Sequence, residues 1–144
     1  MASNLSRFLK AQEYDYPQAL REIRAGRKRT HWMWYIFPQI QGLGFSSTAQ
    51  YYAIRDLEEA KEYLAHPVLG ARLKEISSAL LELDGLSASE IFGYPDDLKL
   101  RSSMTLFRLA DLDCEIFRDV IDKYYDGIPD DRTVSIVRSL SGAT

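Results

Sequence analysis

The chain has 144 residues, of which 46% are hydrophobic and 27% charged, enough for one ordinary domain and tight for two. Its 18 Lys+Arg against 21 Asp+Glu leave a net charge of −3, which argues against both a disordered polyelectrolyte and a globally basic nucleic-acid binder. No apolar run approaches the roughly 20 residues that span a bilayer, MASNLSRFLKAQEY does not read as a signal peptide, and the lone Cys114 excludes an internal disulfide framework, so a reducing cytoplasm is the expected setting.

The first predicted helix runs from Asn4 to about Tyr14, with Leu5, Phe8, Leu9 and Gln12 at helical spacing and Ser3 or Asn4 as cap. Pro17 suits the first turn of a second short helix carrying Ala19, Leu20 and Ile23, and Gly26 is its expected stop. From Arg27 to Phe45 the chain shows no clear period, and HWMWYIFPQ fits a short strand, a helical turn or a packed loop equally well. Ser46, Ser47 and Thr48 then offer N-caps. Asp56 with Glu59 three residues on makes a capping-box-like start for a helix ending near His66. Beyond Pro67, Leu69, Leu73, Ile76, Leu80 and Leu83 fall on one helical face, closed by Gly85. Ser87 with Glu90 repeats the capping box for a short turn reaching Ile91 and Phe92. Pro95 opens a helix striped by Leu100, Met104 and Phe107; Phe117, Val120, Ile121 and Tyr124 stripe the next, which Gly127 closes. A last helix spans 131–140, with Val134, Ile136, Val137 and Leu140 as its apolar residues. Hairpin signals, internal repeats and linkers are absent. The reading is all-α, one compact domain of seven or eight short helices over residues 1–140, followed by a disordered tail at 141–144.

Three stretches carry residue types that do chemistry. RAGRKRTHWMW places Arg24, Arg27, Lys28 and Arg29 just before His31, Trp32 and Trp34. Cations neutralise phosphates and indoles stack on bases; the same residues also suit a basic helix end followed by core tryptophans. Gln39, Gly42 and Gly44 precede a capped helix start, a pattern that either lets an anion approach the backbone or simply makes a turn. Neither the dinucleotide fingerprint nor the phosphate-loop motif is present. Lys99, Ser102 and Ser103 share a helix face, in the reverse of the order that serine–lysine acyl enzymes use, and an ordinary solvated face is the competing reading. His66 at a helix boundary reads as structural. His31, His66 and Cys114 are too few for a structural zinc site, and no metal or other cofactor is expected.

HWMWYIFPQIQGLG (31–44), HPVLGARL (66–73) and IFGYPDDLKLRSSMTLF (91–107), together with RFLKAQ near the start, resemble a family of uncharacterised proteins of about 140 residues, often labelled calpastatin-like. The resemblance covers nearly the whole chain and implies an all-helical domain of unknown activity. Its motif positions fall on His31, Trp32, Trp34, Phe37, Pro38, Gln39, Gly42, Gly44, His66, Pro67, Gly70, Arg72, Lys99, Ser103 and Phe107. More distantly, the chain is similar to small helical proteins that process ADP-ribose and related N-glycosides.

These residues point to a small-molecule ligand, a phosphorylated nucleotide-like metabolite such as ADP-ribose, bound or hydrolysed. Trp32 or Trp34 would stack on a base, with Gln39, Gly42, Gly44 and Ser103 nearby. Arg29, Arg72 or Lys99 would hold phosphate, and His31, Asp97 and Lys99 are the candidate catalytic side chains. The alternative is a non-catalytic helical interaction module presenting Tyr51, Tyr52 and Tyr63. Nucleic acid and membrane are not expected partners, and the sequence does not set the oligomeric state. Because buried polar groups need partners, His31, Gln39, Lys99 and Ser103 are expected around one site, walled by Trp32 or Trp34.

Overall fold

Phe8, Gln12, Tyr16, Ala19 and Ile23 make one continuous buried face, and that face joins what the sequence suggests are two helices. In the computed structural model, which describes residues 4–142, a single helix α1 spans Ser6–Arg24 with Pro17 inside it. A proline in a helix interior costs a hydrogen bond and a steric clash, about 3 kcal/mol. Packing along both halves of the stripe outweighs it. The aperiodic stretch that follows is mostly loop, holding only the single-turn α2 (Met33–Ile36).

The remaining helices are α3 (Ser47–Tyr51), α4 (Leu57–Ala65), α5 (Leu69–Leu81), α6 (Ala88–Phe92), α7 (Asp96–Ala110), α8 (Glu115–Tyr125) and α9 (Asp131–Gly142). Among the described residues there are thus nine helices and no strand, with one isolated parallel bridge between Ile40 and Ile54. Of the tail expected at 141–144, the last two residues lie outside those described. None of these helices is long and apolar enough to cross a membrane.

The caps follow from side-chain chemistry. Ser46 accepts the Ala49 N–H at 3.1 Å to start α3, and Asp56 accepts the Glu59 N–H at 2.9 Å to start α4. The Glu59 carboxylate reaches one residue further back than a capping box requires, to the Arg55 N–H at 2.8 Å. Ser87 and Glu90 make the full reciprocal box for α6. His66 is a cap as well: its Nδ1 accepts the N–H groups of Val68 and Leu69 at 3.1 and 3.2 Å, which gives the HPVLG stretch its role.

Helix α7 lies at the centre, packed against α4, α6, α8 and α9, while α5 packs on α1, α4 and α8. Leu100, Met104 and Phe107 are fully buried, as are Leu69, Leu73, Ile76 and Leu80 of α5 and Phe117, Val120 and Ile121 of α8. Leu140 is exposed, so the buried side of α9 ends earlier than its apolar pattern suggests. Helices α4 and α5 meet backbone to backbone at Gly70, where a Cβ would stand 2.0 Å from the Leu64 carbonyl oxygen.

One polar residue organises the loop after α1. Glu22 is 3% exposed. Its carboxylate accepts the N–H groups of Arg29 (2.7 Å) and Thr30 (3.0 Å), the Thr30 hydroxyl (2.7 Å), the Trp32 Nε1–H (2.9 Å) and the Gln18 amide (2.8 Å). Burial by itself raises the pKa of Glu22, but the donors from Thr30, Arg29 and Gln18 more than compensate and hold it at about 2, below the ordinary 4.5.

Two outcomes follow for stability. Glu22→Gln puts an amide donor among donors and removes charge-assisted bonds, so it costs about 2–3 kcal/mol in urea unfolding at pH 7. Because the folded-state pKa is depressed, this contribution is complete above about pH 4.5 and is lost as pH falls toward 2; the variant lacks that part of the acid dependence. Gly70→Ala must push two helices apart and destabilises by about 3 kcal/mol, read as a lowered urea midpoint.

Candidate functional site

The Glu22 bonds seat Trp32 in the core at 1% exposure, against Phe37 and Phe92. Lys28 then ties the same loop to the opposite side of the fold. Its N–H donates to the Ile91 carbonyl at 2.7 Å, its ammonium pairs with Asp96 at 2.9 Å, and it stands 5.1 Å from the Trp32 ring. With the loop fixed, the half-buried Trp34 comes to lie beside the first turn of α7, where the Lys99 ammonium is 5.5 Å from its ring centroid.

Trp34 and Lys99 form part of the wall of a cleft of about 630 Å³, within the usual size range of small-molecule sites. One side is the 39–49 segment. Gln39 is positioned there by its backbone, whose carbonyl accepts the Ile54 N–H at 2.8 Å, while the neighbouring Gln41 N–H donates to Ile54 at 2.8 Å. The Gln39 amide lines the cleft and makes no hydrogen bond among the described residues, and Gly44, Phe45 and Ser46 complete that side. Gly44 has no room for a side chain, since a Cβ would stand 2.7 Å from that of Ala49.

The other side is cationic. Lys99 shares Asp96 with Lys28, at 3.5 Å. Arg101 donates from Nε to the Ile128 carbonyl at 2.8 Å and lies over the Tyr125 ring. Arg132, in the first turn of α9, has no ion pair among the described residues. The one carboxylate in the lining, Asp130, is engaged by the Thr133 N–H and hydroxyl at 3.0 and 2.6 Å. Three cations against one acid give a positive cleft in a chain of net charge −3.

A second, shallower cleft of about 550 Å³ adjoins on the far side of Trp34, lined also by His31, Tyr35, Ser47, Thr48, Tyr51 and Tyr52. Its position is set by Arg7, which bonds the carbonyls of Tyr51 and Ala53 at 2.8 Å and pairs with the buried Glu59 at 3.3 Å. Burial, and after it the neighbouring Asp15 carboxylate, pushes the Tyr35 hydroxyl up. Burial and then Tyr51 do the same to Tyr52.

Of the residues singled out by sequence, Trp34, Gln39, Gly44 and Lys99 come together, and His31 lies in the adjoining cleft. The others do not join them. Trp32 is no ligand wall, because Glu22 holds its indole N–H inside the core. Ser103 is fully buried on α7, its hydroxyl without a partner among the described residues, while its neighbour Ser102 faces the cleft. Arg72 lies on the α1–α5 side, 5.2 Å from the Tyr16 ring. Arg29 is exposed, and it is its backbone N–H that meets Glu22. The Asp97 carboxylate accepts the N–H of its neighbour Leu98 at 2.9 Å and does not line the cleft. Gly42, at φ 106°, makes the turn beneath Ile136. Tyr63 is buried with Gln12, so no patch of three exposed tyrosines forms.

Arg101 and Ser102 belong to the α7 stretch that the sequence marks together with Lys99, though not to the residues it assigns to the ligand, while Asp130 and Arg132 carry no such mark. The spacing of Pro95, Leu98 and Ser102 was the available signal for the α7 face; nothing local marks Arg132, which arrives through the packing of α9. Among the described residues no three His, Cys, Asp or Glu side chains are grouped to hold a metal ion.

The family profile described as "Protein of unknown function (DUF1810)" matches residues 2–137. The chain belongs to this family. The description names no activity and does not carry the calpastatin label. The crystal structure of the conserved hypothetical protein Rv1873 from Mycobacterium tuberculosis is similar, at 50% identity and a TM-score of 0.92, over 93% of this chain and 96% of that one. No curated protein matches.

The two indoles of this family member are separable in solution. In Trp34→Phe the remaining Trp32 emission resists acrylamide quenching, whereas Trp32→Phe leaves a readily quenched Trp34. Trp34→Phe costs under about 1 kcal/mol of stability, as expected for a half-buried wall residue.

Proposed function

We propose that the cleft between the 39–49 segment and the starts of α7 and α9 binds a phosphorylated, nucleotide-like metabolite. The observation that carries this reading is the pairing of the Trp34 ring with Lys99, Arg101 and Arg132 around one cavity. An indole face takes a planar ring, and guanidinium and ammonium groups take phosphate oxygens as charge-assisted partners. The free Gln39 amide supplies both a donor and an acceptor for a ring edge or a sugar hydroxyl.

Binding is better supported than hydrolysis. Cleavage of an N-glycoside needs a carboxylate facing the sugar carbon, and the Asp130 carboxylate is engaged in capping α9. His31 and Asp97, the candidate proton-transfer groups, lie outside this cleft. The alternative of an interaction module draws on Phe45 and Leu98, which line the cleft at 78% and 46% exposure. The same two residues serve equally as an apolar rim for a ring-bearing ligand.

A thermal-shift screen of nucleotides and ADP-ribose tests the reading. A ligand at about 100 times its dissociation constant raises stability by roughly 2.7 kcal/mol. Arg132→Ala and Lys99→Ala each weaken binding about tenfold or more, as expected on losing a charge-assisted phosphate bond, with little change in the unliganded melting temperature. Absence of a shift with every phosphorylated compound rejects the proposal.

A further inference from the structure

The two clefts share the Trp34 side chain as a common wall. Between them runs a narrow gap of about 20 Å³, lined by Trp34, Gln39, Gly44, Ala49 and Tyr52 among others, so the two spaces adjoin along one indole. Helix α3 contributes to all three and buries none of its own residues.

Their chemistry is unlike. The first cleft carries Lys99, Arg101 and Arg132; no Lys, Arg, Asp or Glu lines the second. The second offers phenol rings and the hydroxyls of Ser47 and Thr48, a surface suited to an uncharged ring with hydroxyl substituents. Burial and then Tyr51 push the Tyr52 hydroxyl further above the ordinary phenol range, so it stays a hydrogen-bond donor, and His31 is the titratable side chain besides the tyrosines in this lining.

We infer that the ligand is a two-part molecule whose phosphates lie in the basic cleft and whose uncharged ring crosses Trp34 to rest against Tyr51 and Tyr52. The inference rests on the phosphate reading of the basic cleft and adds the direction in which the ligand extends. Tyr51 is 58% exposed and packs edge-on against Tyr52, so truncating its side chain removes little buried surface.

Calorimetric titration with ADP-ribose, a diphosphate bearing ring groups, and with inorganic pyrophosphate, which has none, tests this. The expected result is that ADP-ribose binds at least tenfold more tightly than pyrophosphate. Tyr51→Ala removes most of that advantage without changing pyrophosphate affinity, whereas Arg132→Ala weakens both probes alike. A Tyr51→Ala variant that retains the full advantage overturns the inference and leaves the basic-cleft reading standing, whereas equal affinity of the two probes for the wild-type chain overturns the inference together with the ring contact at Trp34 and leaves only the phosphate contacts. If neither probe binds, the basic-cleft reading fails and the inference goes with it.

Discussion

The buried carboxylate of Glu22 holds the site in place from a distance. A carboxylate removed from water is costly unless donors surround it, and here the donors come from the loop that leads to Trp34. Satisfying Glu22 therefore pins residues 29–32. Pinning them puts Lys28 on Asp96, and Asp96 in turn holds Lys99 beside Trp34. A run of ion pairs and hydrogen bonds thus connects the end of α1 to the mouth of the cleft. The segment rich in cations, Arg27 to Arg29, contributes backbone and one ion pair to this scaffold, and the cations that line the cleft come from α7 and α9 instead.

Trp32 and Trp34 illustrate how neighbouring residues of one type take opposite duties. Two positions apart at a single-turn helix, they project to different sides. One indole meets a buried acceptor and disappears into the core; the other meets an ammonium group at the surface of a cavity. Their nearness in sequence invites treating them as a pair, but only the half-buried one is available to a ligand.

The helical stripes were open to reading because each is local. Leu69 to Leu80, Leu100 to Phe107, and the caps at Asp56 and Ser87 need only three- and four-residue spacings to be seen. Pro17 suits the first turn of a helix, and the long stripe from Phe8 to Ile23 overrides that local preference. The 27–45 segment has no period to read, since its shape is set by Glu22, by the Ile40–Ile54 bridge and by α7. Gln39 and Lys99 line one cleft without bonding each other, so the need of polar residues for partners does not by itself account for their meeting. That Ser103 turns into the core while Ser102, also buried, reaches the cleft does not follow either, because a rotation of about 100° between neighbouring helical residues separates core from cavity. Arg132 reaches the cleft by tertiary packing alone.

The basic cleft is bounded by Trp34 near one end of the chain and by Arg132 near the other. During synthesis the N-terminal half has its own short-range bonds, since Glu22 and its donors lie within about ten residues of one another. The cleft has no such early start. Until the turn after α8 is made, Arg101 has no Ile128 carbonyl to hold its guanidinium, and until α9 docks on α7 the wall that carries Arg132 is missing. A nascent chain accordingly completes its recognition surface only once α9 has docked on α7.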